Sequence, residues 1–232
     1  MRWLNPNLNW NYKLTATAKT RLPEVLTLEE VVRMVKSTKN PRNRAMICLM
    51  FDSGMRPGEI VNLKIEDIIF DMDGLIVNVP VEGKKGQRRI RTVNTMNSEQ
   101  ALKEYLRYHE FKSNPYSLLF YNIDKKNKLS VERLNEVIKE TVRRAKIEKK
   151  VTSYTLRHTS ATYLAKHLTE QEMKIYFGWT MGSDMVKTYV HLSCRDLDEK
   201  VLELNKKPTQ KEEKEDLRQL IREELLRVLR EV

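Results

Sequence analysis

Cysteine and histidine are scarce in this chain, and their scarcity limits the kinds of site that it can build. Cysteine occurs only at Cys48 and Cys194, and histidine occurs four times among 232 residues. Neither cysteine has a neighbour at the spacing of metal ligands, and Cys48 lies in the apolar run AMICLMF, where a small core residue is expected. We therefore expect no disulfide framework and no zinc site.

Long apolar runs are also missing. The chain has no N-terminal stretch with the pattern of a signal peptide, and no apolar run reaches the roughly 18 residues that a membrane span requires. These two absences predict a cytoplasmic protein without a membrane partner.

Positive charge, in contrast, is in excess. Lysine and arginine together number 43 and aspartate and glutamate 32, which gives a formal net charge of +11 and a pI near 9.5. Hydrophobic residues make up 40% of the chain, which is enough for one sizeable domain with a packed core. The charge balance favours nucleic acid or another polyanion as the partner.

The apolar spacing predicts an α+β fold that is mainly helical. Thr27 with Glu30, and Thr169 with Glu172, have the spacing of a capping box at a helix start. Residues 65–94 have the pattern of strands, which predicts a small three-stranded antiparallel sheet whose second hairpin has a basic tip. Helices are predicted from about 23 to 35, over 41–53, from about Pro57, over 98–111, 130–145, 155–167 and 170–177, from about Ser183 through Tyr189, and over 195–205.

Composition divides the chain into three segments. Residues 1–22 are polar with scattered aromatics and form either an N-terminal linker or an arm that touches DNA or a neighbour. Residues 23–205 form the main domain, and residues 206–232 form a C-terminal amphipathic helix after a short hinge. The apolar stripe of that helix needs a cover, which either its own domain or a neighbouring chain could supply.

Three side chains could together bind and attack a phosphate. The guanidinium forks of Arg56 and Arg157 can each hold two phosphate oxygens and stay charged, and the phenol of Tyr189 can form a covalent phosphodiester. Each residue alone is weak evidence, because an arginine after a turn is usually solvated and a tyrosine at a helix edge usually packs. Their joint pattern indicates breakage and rejoining of a nucleic-acid backbone.

Four sequence blocks carry a resemblance to a known family. SGMRPGEIVNLKIEDI and YTLRHTSATYL resemble the first and second arginine boxes of the tyrosine recombinase (phage integrase) family, and FGWTMGSDMVKTYVH resembles its closing box with the nucleophilic tyrosine. VEGKKGQRRIRTV resembles the β-hairpin that carries the family's catalytic lysine. The blocks follow the family's order over about residues 23–205, and the ending YVHLSCRDLDEKVLEL is similar to archaeal, Xer-like integrases.

The resemblance implies a role for each matched residue. Arg56 and Arg157 would clamp the scissile phosphate, and Tyr189 would attack it to leave a 3′-phosphotyrosyl link and a free 5′-hydroxyl. Lys84 would donate a proton to that 5′-oxygen, with Lys85 as a competitor because two lysines occupy the hairpin tip. The resemblance also implies that the Trp179 indole N–H donates a hydrogen bond to a phosphate oxygen. Glu59 would help to hold the site together, and His158 would have a packing or orienting role. Lys85, Arg88 and Arg89 would contact DNA.

One position departs from the family. Tyr154 stands where the family has a histidine three residues before the second arginine, and a phenol with a reference pKa of about 10 is a poor base near neutral pH. The site is then either a variant that relies on hydrogen-bond donors or a degenerate, inactive one. Tyr154 could also serve as an alternative nucleophile, although Tyr189 has the better context.

The resemblance implies a site-specific DNA recombinase or integrase of a mobile element. It would cleave and rejoin double-stranded DNA without a metal or other cofactor and act at the nucleoid. It would assemble as a homotetramer on two DNA sites, with the C-terminal helix docked on a neighbouring protomer. Two alternatives stay open: a non-catalytic DNA-binding module of the same fold, and an enzyme similar to a type IB topoisomerase. Family members usually carry a further N-terminal DNA-binding domain, so the chain is either a minimal catalytic module or a fragment.

Overall fold

The computed structural model of the chain describes residues 24–80, 87–122, 126–186 and 188–189. These residues confirm a mainly helical α+β fold with a small three-stranded antiparallel sheet. In chain order the elements are α1 (Leu28–Ser37), α2 (Pro41–Ser53), α3 (Pro57–Asn62), β1 (Ile68–Asp71), β2 (Gly74–Pro80), β3 (Gln87–Arg91), α4 (Ser98–Arg107), β4 (Tyr121–Asn122), β5 (Asn127–Lys128), α5 (Val131–Arg144), α6 (Ser153–Leu164) and α7 (Glu170–Phe177).

Local capping sets where α1 and α7 begin. The Thr27 hydroxyl accepts from the Glu30 backbone N–H, and the Glu30 carboxylate accepts in return from the Thr27 N–H at 2.7 Å. Thr169 and Glu172 repeat the arrangement at the start of α7. Both predicted capping boxes are confirmed, and the first places the start of α1 at Leu28 because the cap satisfies the free N–H groups of the first turn.

Helix α2 forms the centre of the core. Residues 45–53 are buried along the whole helix, which packs against α4 and α6 as well as against α1 and α3. Gly54 ends α2 in the left-handed conformation with φ of 58°, and a Cβ there would collide with the ring of Phe177. The close approach joins the end of α2 to the end of α7, and Arg56 follows two residues later.

The sheet is an antiparallel meander of β1, β2 and β3. Ile68 pairs with Val77 across the first hairpin, and Val79 pairs with Arg88 across the second. The strand predicted to begin at residue 65 begins at Ile68, because residues 65–67 form one 3₁₀ turn that the Asp67 carboxylate holds by accepting from the Lys64 N–H at 2.8 Å. The sheet therefore starts one turn later than its apolar pattern indicated.

A buried carboxylate fixes the start of α4. Asp52, at the end of α2, accepts from the backbone N–H groups of Met96 at 2.8 Å and Ser98 at 3.0 Å. Burial raises the pKa of Asp52 to about 6, and the hydrogen bonds from Met96 and Ser98 act in the opposite direction. The carboxylate thus ties α4 to the central helix, next to the backbone that leads to the sheet.

Several predicted features lie outside the described residues. These are the N-terminal segment 1–22, the basic tip of the second hairpin with Lys84 and Lys85, the helix predicted beyond residue 195, and the C-terminal segment 206–232. None of the helices in the described ranges is long and apolar enough to span a lipid bilayer.

Candidate active site

Arg157 joins the C-terminal ends of α2 and α7. It lies on α6 with only 5% of the residue exposed, and its Nη1 donates to the Gly54 carbonyl at 2.6 Å while its Nη2 donates to the Phe177 carbonyl at 2.8 Å. Carbonyl groups at helix C-termini carry partial negative charge, so they stabilise a cation there. The fold therefore holds this guanidinium in one orientation.

Arg56 reaches the same place from the start of α3. Its Nη2 donates to the Gly178 carbonyl at 2.9 Å, one residue beyond the carbonyl that Arg157 binds. The Glu59 carboxylate accepts from the Arg56 backbone N–H at 2.7 Å and from its Nη1 at 3.1 Å. Arginines 101 positions apart in sequence thus converge, and the Arg56 side chain is 41% exposed, so a ligand can approach it.

Arg88 is a third guanidinium in this cluster. It projects from β3, donates from Nη2 to Glu59 Oε2 at 2.9 Å, and donates from Nη1 to the Tyr176 carbonyl. Its side chain is only 11% exposed, whereas the neighbouring Arg89 is exposed. Of the two arginines predicted to contact DNA, the structure places one in the interior of the site and the other on the surface.

The guanidinium groups of this cluster repel one another, and a single carboxylate partly offsets that repulsion. Burial, followed by the charge of Arg56, lowers the pKa of Arg157 to about 10, and Glu59 acts in the opposite direction. Burial also lowers the pKa of Arg88, while Glu59 raises it. Glu59 thus acts on all three guanidinium groups, through hydrogen bonds to Arg56 and Arg88 and through its charge on Arg157. Three positive charges face this one carboxylate, and a phosphate would offset the excess.

Tyr189 lies against this cluster in a stack of rings. Its ring is parallel to that of Trp179 at 5.5 Å, and Trp179 stacks in turn on Phe177 at 4.9 Å. The Arg157 guanidinium lies over the Trp179 ring at 5.8 Å, so the tyrosine and the buried arginine flank the same indole. Tyr189 is only 1% exposed, and this burial raises the pKa of its phenol to about 12.

The phenol has one direct polar partner among the groups described around it. The Tyr189 hydroxyl is hydrogen-bonded to Nδ1 of His158, and the two rings are 5.9 Å apart. Burial and the neighbouring Arg157 lower the pKa of His158. The sequence predicted only a packing or orienting role for this histidine, and no pattern along the chain indicated a hydrogen bond between residues 31 positions apart.

Not every predicted residue joins the cluster. Tyr154 lies in the first turn of α6 and is 54% exposed. Lys84 and Lys85 fall outside the described residues. Within the described ranges no group of three or more histidine, cysteine, aspartate or glutamate side chains could hold a metal ion. The residues that the structure brings together are Arg56, Glu59, Arg88, Arg157, His158, Trp179 and Tyr189.

The fold and the cluster of arginines around a tyrosine fit the family that the sequence blocks indicated. The model of the phage integrase family matches residues 24–195, and the chain belongs to that family. The resemblance that the four sequence blocks indicated is therefore confirmed.

Within that family, the chain is similar to particular recombinases. The chain is 36% identical over 145 residues to tyrosine recombinase XerA of Pyrococcus furiosus, which covers 62% of this chain and 48% of the relative. A crystal structure of XerA recombinase matches with a TM-score of 0.67 and 25% identity, over 81% of this chain and 66% of that chain. XerH site-specific recombinase bound to its palindromic difH substrate shares the fold, with a TM-score of 0.67, 24% identity and coverage of 82% and 56%. The chain spans about half the length of the curated relative.

Proposed function

We propose that this chain is the catalytic part of a tyrosine-type site-specific DNA recombinase. It would cleave double-stranded DNA and rejoin it through a 3′-phosphotyrosyl intermediate. The observation that carries the proposal is the donation of Arg56 and Arg157 to adjacent carbonyls at the end of α7, beside the ring stack that holds Tyr189. The names of the relatives, and a structural neighbour that binds DNA, support the same reaction.

The proposed chemistry begins with the arginines. The phosphate oxygens would take over N–H donors that Arg56 and Arg157 now direct at carbonyl groups, since a bidentate, charge-assisted hydrogen bond to an anion is stronger than one to a neutral carbonyl. The Trp179 indole N–H would add a further donor. These groups would stabilise the negative charge that spreads over the oxygens in the transition state.

The covalent step conserves the energy of the phosphodiester. The Tyr189 oxygen forms a bond to phosphorus as the bond to the 5′-oxygen breaks, and the 5′-oxygen receives a proton from Lys84 or Lys85 of the hairpin tip. Rejoining reverses these steps, so no nucleotide hydrolysis is needed. Glu59 would hold Arg56 in place through its two hydrogen bonds.

The proposed assembly follows from the family. Two DNA sites would be held by four copies of the chain at the nucleoid, with segment 206–232 docked on a neighbour. The exposed Arg89, together with Lys85, would contact the DNA backbone. The proposed domain division, with segment 1–22 before a catalytic domain of residues 23–205, belongs to the same model. Phosphate contacts make such binding fall steeply with salt, because each contact releases counterions.

A nicked DNA substrate that traps the covalent adduct tests the nucleophile. We expect the native chain to form an adduct whose peptide, identified by mass spectrometry, contains Tyr189, and we expect Tyr189→Phe to form none. Tyr108→Phe is the matched control and should still form the adduct, because Tyr108 is an exposed tyrosine at the end of α4 and is not among the residues that the structure brings together at the site.

The other outcomes separate the alternatives. An adduct that persists in Tyr189→Phe contradicts the assigned nucleophile. A native chain that binds DNA without forming any adduct favours a non-catalytic module. Relaxation of any supercoiled plasmid, with no preference for one site, favours an enzyme similar to a type IB topoisomerase.

A further inference from the structure

The nucleophile of the proposed reaction has a proton that must be removed. Burial raises the pKa of the Tyr189 phenol to about 12, so the hydroxyl is protonated at neutral pH. A phenol becomes a strong nucleophile at phosphorus only as its proton leaves, and a positioned base can contribute about 10²–10⁴-fold to such a step. Cleavage therefore requires a group that touches the phenolic oxygen and can accept its proton.

Among the described residues, His158 is the side chain hydrogen-bonded to that oxygen. Its Nδ1 is hydrogen-bonded to the Tyr189 hydroxyl, and the two rings lie 28° from parallel with their centroids 5.9 Å apart. Because His158 follows Arg157 on α6, the same helix turn presents a phosphate-binding cation and the partner of the nucleophile. The hydrogen bond therefore connects the Tyr189 oxygen to α6, the helix that Arg157 already anchors to the ends of α2 and α7.

We propose that His158 is the general base that takes the phenolic proton of Tyr189 during DNA cleavage. This inference rests on the proposed function and assigns a catalytic role within it. The Oη–H bond breaks, Nδ1–H forms, and the electron pair released on Oη forms the bond to phosphorus. The bond from phosphorus to the 5′-oxygen breaks, and that oxygen is protonated by a separate donor. On rejoining, Nδ1 returns its proton to Oη, which is then the leaving group.

The surroundings of the imidazole suit an acceptor of protons. The charged and titratable groups that the structure shows acting on it are Arg157, which precedes it on α6, and the Tyr189 phenol. Burial and Arg157 hold the pKa of His158 below its usual value, so the ring is neutral near pH 7 and has a free lone pair. For Nδ1 to accept, the ring proton lies on Nε2.

Other candidates for the base are worse placed. Glu59 already accepts three hydrogen bonds, from the backbone N–H of Arg56 and from the guanidinium groups of Arg56 and Arg88, and these bonds disfavour its protonation. Tyr154 is exposed and carries a phenol, which is a weak base near pH 7. His158 combines direct contact with the phenolic oxygen and a ring that is neutral near pH 7.

Single-turnover adduct formation on nicked DNA tests the role of His158. His158→Asn keeps a hydrogen-bond acceptor near the position of Nδ1 but cannot hold a proton, so it separates orientation from base catalysis. We expect its cleavage rate to fall by on the order of a hundredfold while DNA binding is unchanged. His167→Asn is the matched control, because His167 is exposed on the same stretch of chain and should keep the native rate.

The pH profile supplies a second readout that a structural role would not change. The native rate should rise with pH through the lowered pKa of His158 and then level off, since the base is neutral above it. In His158→Asn the rate should instead keep rising about tenfold per pH unit toward the pKa of Tyr189 itself. Free imidazole added to His158→Gly should restore part of the rate.

A substrate with sulfur in place of the 5′-bridging oxygen identifies which proton transfer is lost. The sulfur leaves without protonation, so it should not rescue His158→Asn if His158 acts on the nucleophile. The proposal is overturned if His158→Asn stays within about threefold of the native rate, or if the sulfur substrate restores it. Failure of the proposed function would look different, because then the native chain itself would form no Tyr189 adduct.

Discussion

Glu59 is the residue on which the geometry of the arginine cluster depends. Its carboxylate accepts from the Arg56 backbone N–H, from the Arg56 guanidinium and from Arg88 Nη2. A carboxylate shared in this way offsets like-charge repulsion between guanidinium groups that would otherwise separate. The arrangement also explains why a basic site can stay folded before any phosphate binds.

Arg88 and Arg89 should therefore respond differently to the same substitution. Arg88→Ala removes partners of Glu59 and of the Tyr176 carbonyl, and we expect the free energy of unfolding to fall by about 1–3 kcal/mol. We also expect the cleavage rate to fall by on the order of tenfold, since Arg56 loses its fixed position. Urea unfolding and the nicked-substrate assay measure the two effects.

Arg89→Ala serves as the matched control for that substitution. Its side chain is exposed, so stability and the cleavage step at saturating protein should change little. If it contacts a phosphate, its loss weakens DNA binding and reduces the slope of log affinity against log salt by about one. Equal effects of the two substitutions on stability would contradict the assignment of Arg88 to the interior.

At the level of elements, the C-terminal end of α7 is the scaffold of the site. Its last carbonyls, from Tyr176, Phe177 and Gly178, accept from Arg88, Arg157 and Arg56 respectively. A helix end presents these groups together because the last carbonyls have no partner within the helix. The position of α7 against the end of α2 therefore decides where the guanidinium groups meet.

Gly178 ends α7 in a conformation that side chains disfavour. Its φ is 61°, and a Cβ there would come within 2.9 Å of Arg88 Nε. We expect Gly178→Ala to destabilise the fold by about 1 kcal/mol or more and to slow cleavage, because both the backbone and Arg88 must move. Thermal unfolding and adduct formation measure the two consequences.

Gly182 offers a control for Gly178 in the following turn. A Cβ added at Gly182 meets nothing within 4 Å. Gly182→Ala should leave both the melting temperature and the cleavage rate near native values. If Gly178→Ala were equally neutral, the end of α7 would not set the position of the arginines as the structure indicates.

At the scale of the whole molecule, assembly and chemistry should be separable. The proposed docking of segment 206–232 on a neighbour predicts that deletion of residues 209–232 impairs assembly on paired sites more than single-strand cleavage. The physical reason is that the segment carries an apolar stripe but none of the residues of the arginine cluster. Native gels of protein–DNA complexes and the nicked-substrate assay distinguish the two.

A single substitution refines that experiment. Leu225→Asp places a charge on the apolar stripe and should reproduce the assembly defect, whereas Glu223→Gln on the polar side should not. Equal loss of assembly and cleavage in the deletion would count against the docking model and indicate that the segment supports its own domain.

Much of the fold was predictable because its signals are local. The capping boxes Thr27–Glu30 and Thr169–Glu172 involve residues three positions apart, so a helix start is visible in the sequence itself. The 3₁₀ turn at residues 65–67 was missed because its apolar pattern fits a strand equally well, and only the hydrogen bond from the Lys64 N–H to Asp67 decides between them.

The sequence alone determined the family, the mainly helical class, the excess of positive charge and the identity of the arginines and tyrosine, since motif spacing and composition carry these. Strand alternation places Arg88 on the same side of β3 as the buried Ile90, but only the tertiary structure decided that this side meets Glu59 and the end of α7, because those partners are distant along the chain. The tertiary structure also decided that His158 bonds to Tyr189, since a contact between residues 31 positions apart exists only after α6 packs against the chain that follows α7.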